Sequence, residues 1–275
     1  MDQRSSTGVQ SVQLAIDVLE AVAFSGEELG VTQLAERLGV TKGSVHRHLT
    51  TLVERGYLVQ NSSTSRYCLG PKSRLLARIA PAVDLVQVAE GPMRALRDAL
   101  GHSVVLSAST PRGALVLTTV AGKSPIEIGV RTGSELSLPA SAQGRIMLAH
   151  AARPAQERVL LQPLQKHTTH TITEPRQLRA ELTRILKQGY ASAPEQVLLG
   201  INAVAAPVFD TANSCVACIT IVGSIQILPA KPDARTIAAL KAAAEQISQR
   251  LGHHNAPTVG VGVEPAPRRR KVALP

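Results

Sequence analysis

Apolar residues at helical spacing open the chain. Val12, Leu14, Ala15, Ile16, Val18, Leu19, Val22 and Ala23 form one stripe, which predicts a first helix ending at the breaker Ser25-Gly26. Thr32-Gln-Leu-Ala-Glu-Arg-Leu reads as a short second helix with Leu34, Ala35 and Leu38 inward, capped by Thr32 or its predecessor and stopped by Gly39. Thr41 is the N-cap predicted for a third helix, Lys42 to Glu54, whose buried face is Val45, Leu49, Leu52 and Val53 and which ends at Arg55-Gly56. Tyr57-Leu-Val-Gln and Arg66-Tyr-Cys-Leu then alternate as strands around the turn-rich Asn61-Ser-Ser-Thr-Ser. Helix, helix, helix and hairpin make a winged helix-turn-helix.

Beyond Gly70-Pro71 the periodicity changes. Residues 73–100 read as a helical connector, interrupted at Pro81 and again near Gly91-Pro92. Strands are predicted at 104–108, 115–120 and 126–130, and helices at 141–150, 155–161 and 176–187. Strands return at 190–193, 203–209 and 216–222 before a last helix over 233–251. This mixture predicts an α+β domain on a largely antiparallel sheet. The domains are read as a disordered N-terminus (1–10), the winged helix-turn-helix (11–70), the helical linker (71–100), a second domain (101–252) and a disordered basic tail (253–275).

Composition narrows the class. At 275 residues and 44% hydrophobic, the chain has apolar surface for two cores and excludes a mainly disordered protein. No window approaches a membrane span; Val216 to Leu228 is short and carries Thr220, Ser224 and Gln226. The first residues lack a signal-peptide pattern, and three cysteines make no disulfide framework, so a cytoplasmic location is expected. Aromatics at 2% argue against stacking platforms for single-stranded nucleic acid.

The net charge of +10 matters less than its placement. Residues 1–36 carry Arg4 against Asp2, Asp17, Glu20, Glu27, Glu28 and Glu36, whereas residues 37–72 carry Arg37, Lys42, Arg47, Arg55, Arg66 and Lys72 against Glu54. One basic half suits phosphates, although scattered surface charge gives the same count. On the third helix, Lys42, Ser44, His46, Arg47, Thr50 and Thr51 lie away from the apolar face. Arg47 can fork to guanine, Thr41 and Lys42 suit phosphates, and Arg66 on the hairpin can reach a backbone or minor groove. The bland alternative is a solvated helix face. Double-stranded operator DNA is the expected partner.

Other chemistries are weakly signalled. Nucleophile-elbow, phosphate-loop and zinc-protease motifs are absent, and Gly260-Val-Gly-Val lacks a third glycine. His167-Thr-Thr-His170 with His150 could hold a metal in an enzyme or metal-binding sensor carrying a DNA-binding head. Cys215 and Cys218, three apart on a strand, are expected on opposite faces as core or turn residues. No cofactor or metal is expected.

Gln13-Leu-Ala-Ile-Asp-Val-Leu-Glu, Val31-Thr-Gln-Leu-Ala-Glu-Arg-Leu-Gly-Val, Ser44-Val-His-Arg and Leu52-Val-Glu-Arg-Gly-Tyr-Leu resemble the IclR family of bacterial transcription regulators. Leu138-Pro-Ala-Ser-Ala-Gln-Gly-Arg-Ile-Met-Leu-Ala, Gly189-Tyr-Ala, Gly200-Ile and Ala205-Ala-Pro-Val-Phe-Asp extend the resemblance over residues 11–252. It implies a winged helix joined by a helix to a GAF-like effector-binding domain, in homodimers often paired into tetramers on partly palindromic operators. It also implies an effector cavity lined by Ala142, Gln143, Ala193, Ile201, Ala203, Thr220 and Val222. Relatives that take very small oxo-acids often carry acidic, thiol or hydroxyl groups at several of these places; Ala193, Ala203 and Val222 depart from that. Independently, the helix start at Ser141–Gly144 offers N–H groups to an anion, with Ser141 or Gln143 expected to add a side-chain donor. The expected effector is a small carboxylate with an apolar body, such as an aromatic or short-chain organic acid, and ordinary core packing is the alternative for each apolar residue.

Overall fold

The short connection at Gly39-Val40-Thr41 sets the angle between the second and third helices. A computed structural model describes residues 8–79, 84–125 and 128–253. The N-terminal unit comprises α1 (Gln10–Ala23), α2 (Val31–Leu38), α3 (Lys42–Glu54), β1 (Leu58–Gln60) and β2 (Tyr67–Leu69). Gly39 takes φ +67°, the left-handed conformation that closes α2, and the Thr41 side chain accepts from Ser44 N at 3.3 Å to start α3. The cap of α2 is Gly30 rather than Thr32 or Val31, because the Gln33 side chain reaches back to Gly30 N–H at 3.0 Å. Val18, Val22, Leu34, Val45, Leu49, Leu58 and Tyr67 form the core, whereas Val12 and Ile16 of the predicted stripe stand exposed.

The linker contains α4 (Pro71–Ile79) and α5 (Leu85–Leu100). Pro81 lies outside the described residues. Gly91-Pro92 does not interrupt α5, contrary to the sequence expectation. Proline at 92 removes the N–H that would bond Val88 O, and Arg250 Nη1 donates to that carbonyl at 3.1 Å instead. Gly91 leaves room for the guanidinium: a Cβ there would lie 3.4 Å from Arg250 Nη1.

The second unit holds β3 (Ser103–Ser109), β4 (Ala114–Val120), β5 (Glu135–Leu136), α6 (Ala142–His150), α7 (Arg153–Leu160), α8 (Pro175–Gln188), β6 (Ala191–Ser192), β7 (Ile201–Phe209), β8 (Cys215–Ser224) and α9 (Ala234–Arg250). The strands form one sheet in the order β5-β4-β3-β8-β7-β6, antiparallel at every pairing. The molecule is α+β. The strand expected at 126–130 is replaced by β5, since residues 128–130 are irregular; Ile126 and Glu127 lie outside the described residues.

Alternation along the strands divides the sheet into two faces. Val104, Leu106, Val204, Ala206, Ile219 and Ile221 pack under α5 and α9. The opposite face, with Ala205, Cys218, Val105, Val116 and Val222, turns toward α6 and the segment leading into it. His253, read from sequence as the start of the tail, is buried against Phe209, with ring centroids 5.5 Å apart; residues 254–275, with Gly260 and the basic run, lie outside the described residues.

Candidate DNA-reading helix and effector site

On α3 the 3.6-residue period puts Arg47 opposite the buried Val45 and Leu49. Thr41, Lys42, His46, Arg47, Thr50 and Thr51 are exposed and Ser44 is half-buried. Lys42 and Arg47 have no carboxylate partner within salt-bridge distance among the described residues, so both charges face solvent uncompensated. Two of the hydroxyls are otherwise engaged: Thr50 donates to His46 O at 3.0 Å and Thr51 to Arg47 O at 3.1 Å. Thr51, with the half-buried His48, also lines a groove of about 480 Å³ against α1.

The wing is fastened by an acid that sequence reading passed over. Glu28, in the loop after α1, accepts from Asn61 Nδ2 at 3.1 Å and Thr64 Oγ1 at 3.1 Å. Leu29 pairs with Tyr67 beside it. Arg66 is exposed, but its Nη1 is tied back to Glu28 O at 3.1 Å, beside the Asn61–Ser65 turn. In the sequence the polar turn Asn61-Ser-Ser-Thr-Ser was the one available signal of this fastening.

The effector-site residues converge less uniformly. Ala142, Ala193 and Ala203 share a cluster with Ala114, Ala205 and Cys218; Ile201, Ala203 and Val222 share the adjoining one with Val105 and Val116. Thr220, fully buried, lies between Cys218 and Val222 on the same face of β8. The first turn of α6 stands over this face, with Gln143 O 4.0 Å from Cys218 Sγ. Two backbone donors there, the N–H groups of Ala142 and Gln143, find no acceptor among the described residues.

Two expectations for this turn need correction. Ser141 is no ligand donor: its hydroxyl donates to Ser137 O at 2.7 Å and accepts from Gly144 N at 3.0 Å, capping the helix. That same bond occupies the Gly144 N–H. Gly144 serves packing, since a Cβ would lie 2.4 Å from Ser137 O.

A second correction concerns the cysteines. Cys215 and Cys218 pack into the same cluster, because the register shifts between Val208 and Phe209 and one residue of β8 bulges out of alternation. Both are free thiols, and burial pushes Cys215 up to about 12 and Cys218 further still, so both stay protonated at neutral pH.

Arg145 is the residue that sequence reading missed. It is 1% exposed, with Nε donating to Pro139 O at 2.8 Å and Nη2 to Gln196 Oε1 at 2.5 Å. Burial lowers its pKa to about 10, partly offset by the charge of Glu181. Gln196 in turn accepts from Ile172 N at 2.9 Å and from Thr171 Oγ1 at 2.7 Å. Arg145 thereby pins two loops to the turn entering α6. A charged residue on a helix otherwise buried all round was the available signal.

No three His, Cys, Asp or Glu side chains converge on a metal site among the described residues. His150 packs edge-on against Phe209, and His170 faces Glu195 at 3.6 Å. No helix among the described residues is long and apolar enough to cross a membrane.

Comparison with known proteins places the chain. Residues 11–62 match the IclR helix-turn-helix domain and residues 77–249 the bacterial transcriptional regulator IclR C-terminal domain. The regulator BhcR of Paracoccus denitrificans is 31% identical over 87% of this chain and 87% of its own length. KdgR of Escherichia coli is 28% identical over 90% and 95%.

Among solved structures, an IclR regulator from Alicyclobacillus acidocaldarius matches with TM-score 0.72 at 27% identity, covering 89% of this chain and all of that one. An IclR homologue from Microbacterium hydrocarbonoxydans, complexed with 4-hydroxybenzoate, shares the fold with TM-score 0.73 at 24% identity, over 88% and 99%. The relatives are transcriptional regulators, so the enzyme alternative drawn from the sequence falls. The chain belongs to the IclR family of DNA-binding transcriptional regulators.

Proposed function

We propose that a small organic acid, bound at the first turn of α6, sets how firmly this regulator holds its operator, and that the genes controlled serve a degradative pathway. The observation that carries the reading is the pair of unpaired N–H groups at Ala142 and Gln143 above a face of small apolar side chains. A helix N-terminus with free donors stabilises a carboxylate. Ala193, Ala203, Ile201 and Val222 suit an apolar body, and they penalise acids with several further polar groups by about 1–3 kcal/mol for each group buried unpaired. The 4-hydroxybenzoate held by the Microbacterium homologue makes aromatic acids the first to assay. On the DNA side, Arg47 reads a base edge, with Lys42 and Thr41 on phosphate and Ser44, His46, Thr50, Thr51 and Arg66 flanking.

A homodimer completes the proposal, because one head gives too few contacts for promoter specificity. α4 supports it: the helix has nine residues and none is buried, while Leu75, Leu76 and Ile79 are exposed. So short a helix is marginal alone and gains stability when a second chain covers its apolar side. A monomer that persists with rising concentration in sedimentation would sink this part.

The effector reading is tested by a thermal-shift panel of organic acids on wild type and Ala203→Asp, followed by gel shifts with any acid that stabilises. The expected result is an aromatic or short-chain acid that stabilises wild type, fails on Ala203→Asp and alters DNA binding. Stabilisation by pyruvate-sized acids alone would contradict the apolar wall.

A further inference from the structure

Ser107 sits in the middle of β3, fully buried, between Val116 on β4 and Cys218 on β8. Its Oγ is the buried side-chain oxygen that makes no hydrogen bond among the described residues. Native interiors pair nearly every buried hydroxyl, so a lone one in a sheet of valines and alanines calls for a partner from elsewhere. Nothing in strand packing needs it; alanine or valine would fill the place without the desolvation penalty.

Its position is informative. Ser107 is directly opposite Cys218, and paired residues on neighbouring strands project to the same face. That face carries Thr220 and Val222 and lies under the first turn of α6, where Gln143 O approaches Cys218 Sγ. The Ser107 hydroxyl therefore shares a buried face with the unpaired Ala142 and Gln143 N–H groups, about one strand spacing (about 5 Å) beyond the Cys218 side chain. The register between β3 and β4 shifts at Leu106/Ser107, a bulge of the kind that re-aims a side chain. The neighbours Cys218, Thr220, Val105 and Val116 carry no charge, so a neutral polar atom is what this spot can take.

We infer that Ser107 is a specificity-determining residue for the effector, which is a hydroxy- or oxo-carboxylic acid: the carboxylate meets the Ala142 and Gln143 N–H groups, and a hydroxyl or carbonyl farther along its body pairs with Ser107 Oγ. The inference rests on the reading of α6 as the carboxylate site and adds one further polar atom to the ligand. Serine accepts from a ligand hydroxyl or donates to a ligand carbonyl, so both classes qualify. Acids lacking that atom leave the hydroxyl orphaned and bind more weakly.

The test is calorimetric titration of the full chain with matched pairs: benzoate against 4-hydroxybenzoate, and pentanoate against 4-oxopentanoate. Wild type is expected to bind the hydroxy or oxo member of at least one pair about tenfold more tightly than its parent. Ser107→Ala is expected to bind both members alike, with the parent acid's affinity unchanged and the melting temperature without ligand no lower. Ser107→Cys, which keeps the shape with a weaker donor, should fall between and guards against a folding defect. If parent acids bind and wild type shows no preference, or the preference survives in Ser107→Ala, Ser107 is not a ligand group and the carboxylate site stands. If no acid in the panel binds either protein, the carboxylate reading fails and this inference falls with it.

Discussion

Arg47 and Lys42 both stand on the first two turns of α3 yet should fail differently when removed. Arg47 stands at the crest of the helix, opposite its buried face, and its fork can span a guanine edge. Arg47→Ala is expected to lose about 1–3 kcal/mol on operator DNA and far less on random DNA. Lys42→Ala, beside the N-cap Thr41, is expected to weaken binding to both DNAs alike, with a salt slope shallower by about one. Fluorescence anisotropy across a salt series separates the two outcomes. At the first turn of α6, Gly144→Ala would drive a methyl into Ser137 O and the Leu138 backbone, neither of which can swing away. A loss of at least about 1–3 kcal/mol in urea unfolding is expected. The third helix was legible residue by residue because its apolar and polar positions obey one period. Ser141 was not: a serine before a helix suggests both a cap and a ligand donor, and only the 2.7 Å bond to Ser137 O decides between them.

Elements were misread where a distant side chain overrides local preference. Pro92 reads as a helix breaker, and α5 continues through it because Arg250, 162 positions from Val88 in sequence, satisfies the Val88 carbonyl that proline orphans. Arg250→Ala should therefore destabilise by about 0.5–1.5 kcal/mol, checked by thermal unfolding. The network under α6 is more sensitive, since its charge is buried. Gln196→Ala removes an acceptor from Arg145 and is expected to lower stability by about 1.5–3 kcal/mol. At α9, the Thr236 N–H holds the Asp233 carboxyl below its ordinary 3.8. A depressed carboxylate stabilises the fold above its unfolded pKa and ceases to do so as pH falls through the folded value. The melting-temperature gap between wild type and Asp233→Ala should thus be full at neutral pH and close below about pH 3.8. Strand β5 escaped the sequence because two residues carry no period, and Ile128 and Val130 ahead of it pack against the sheet without forming a strand.

At the scale of the molecule, the chain joins a charge-divided head to a sheet with two buried faces, one under α5 and α9 and one under α6. The order of elements and the antiparallel sheet could be anticipated from alternation and spacing. The register shifts could not, and they put Cys215 beside Cys218 and mark the strand position of Ser107. Charge alone would have misdirected the reading, since the +10 is shared across the chain while the first 72 residues balance to zero. The surface proposed to read DNA is the exposed face of α3, where Lys42 and Arg47 have no carboxylate partner within salt-bridge distance among the described residues. The most direct test is the ratio of affinities of the full chain for the duplex it selects from fragments of its own genome and for a scrambled duplex of equal length, in one buffer at physiological salt. A preference of about a thousandfold or more is predicted. Equal affinity for the two duplexes would contradict the account.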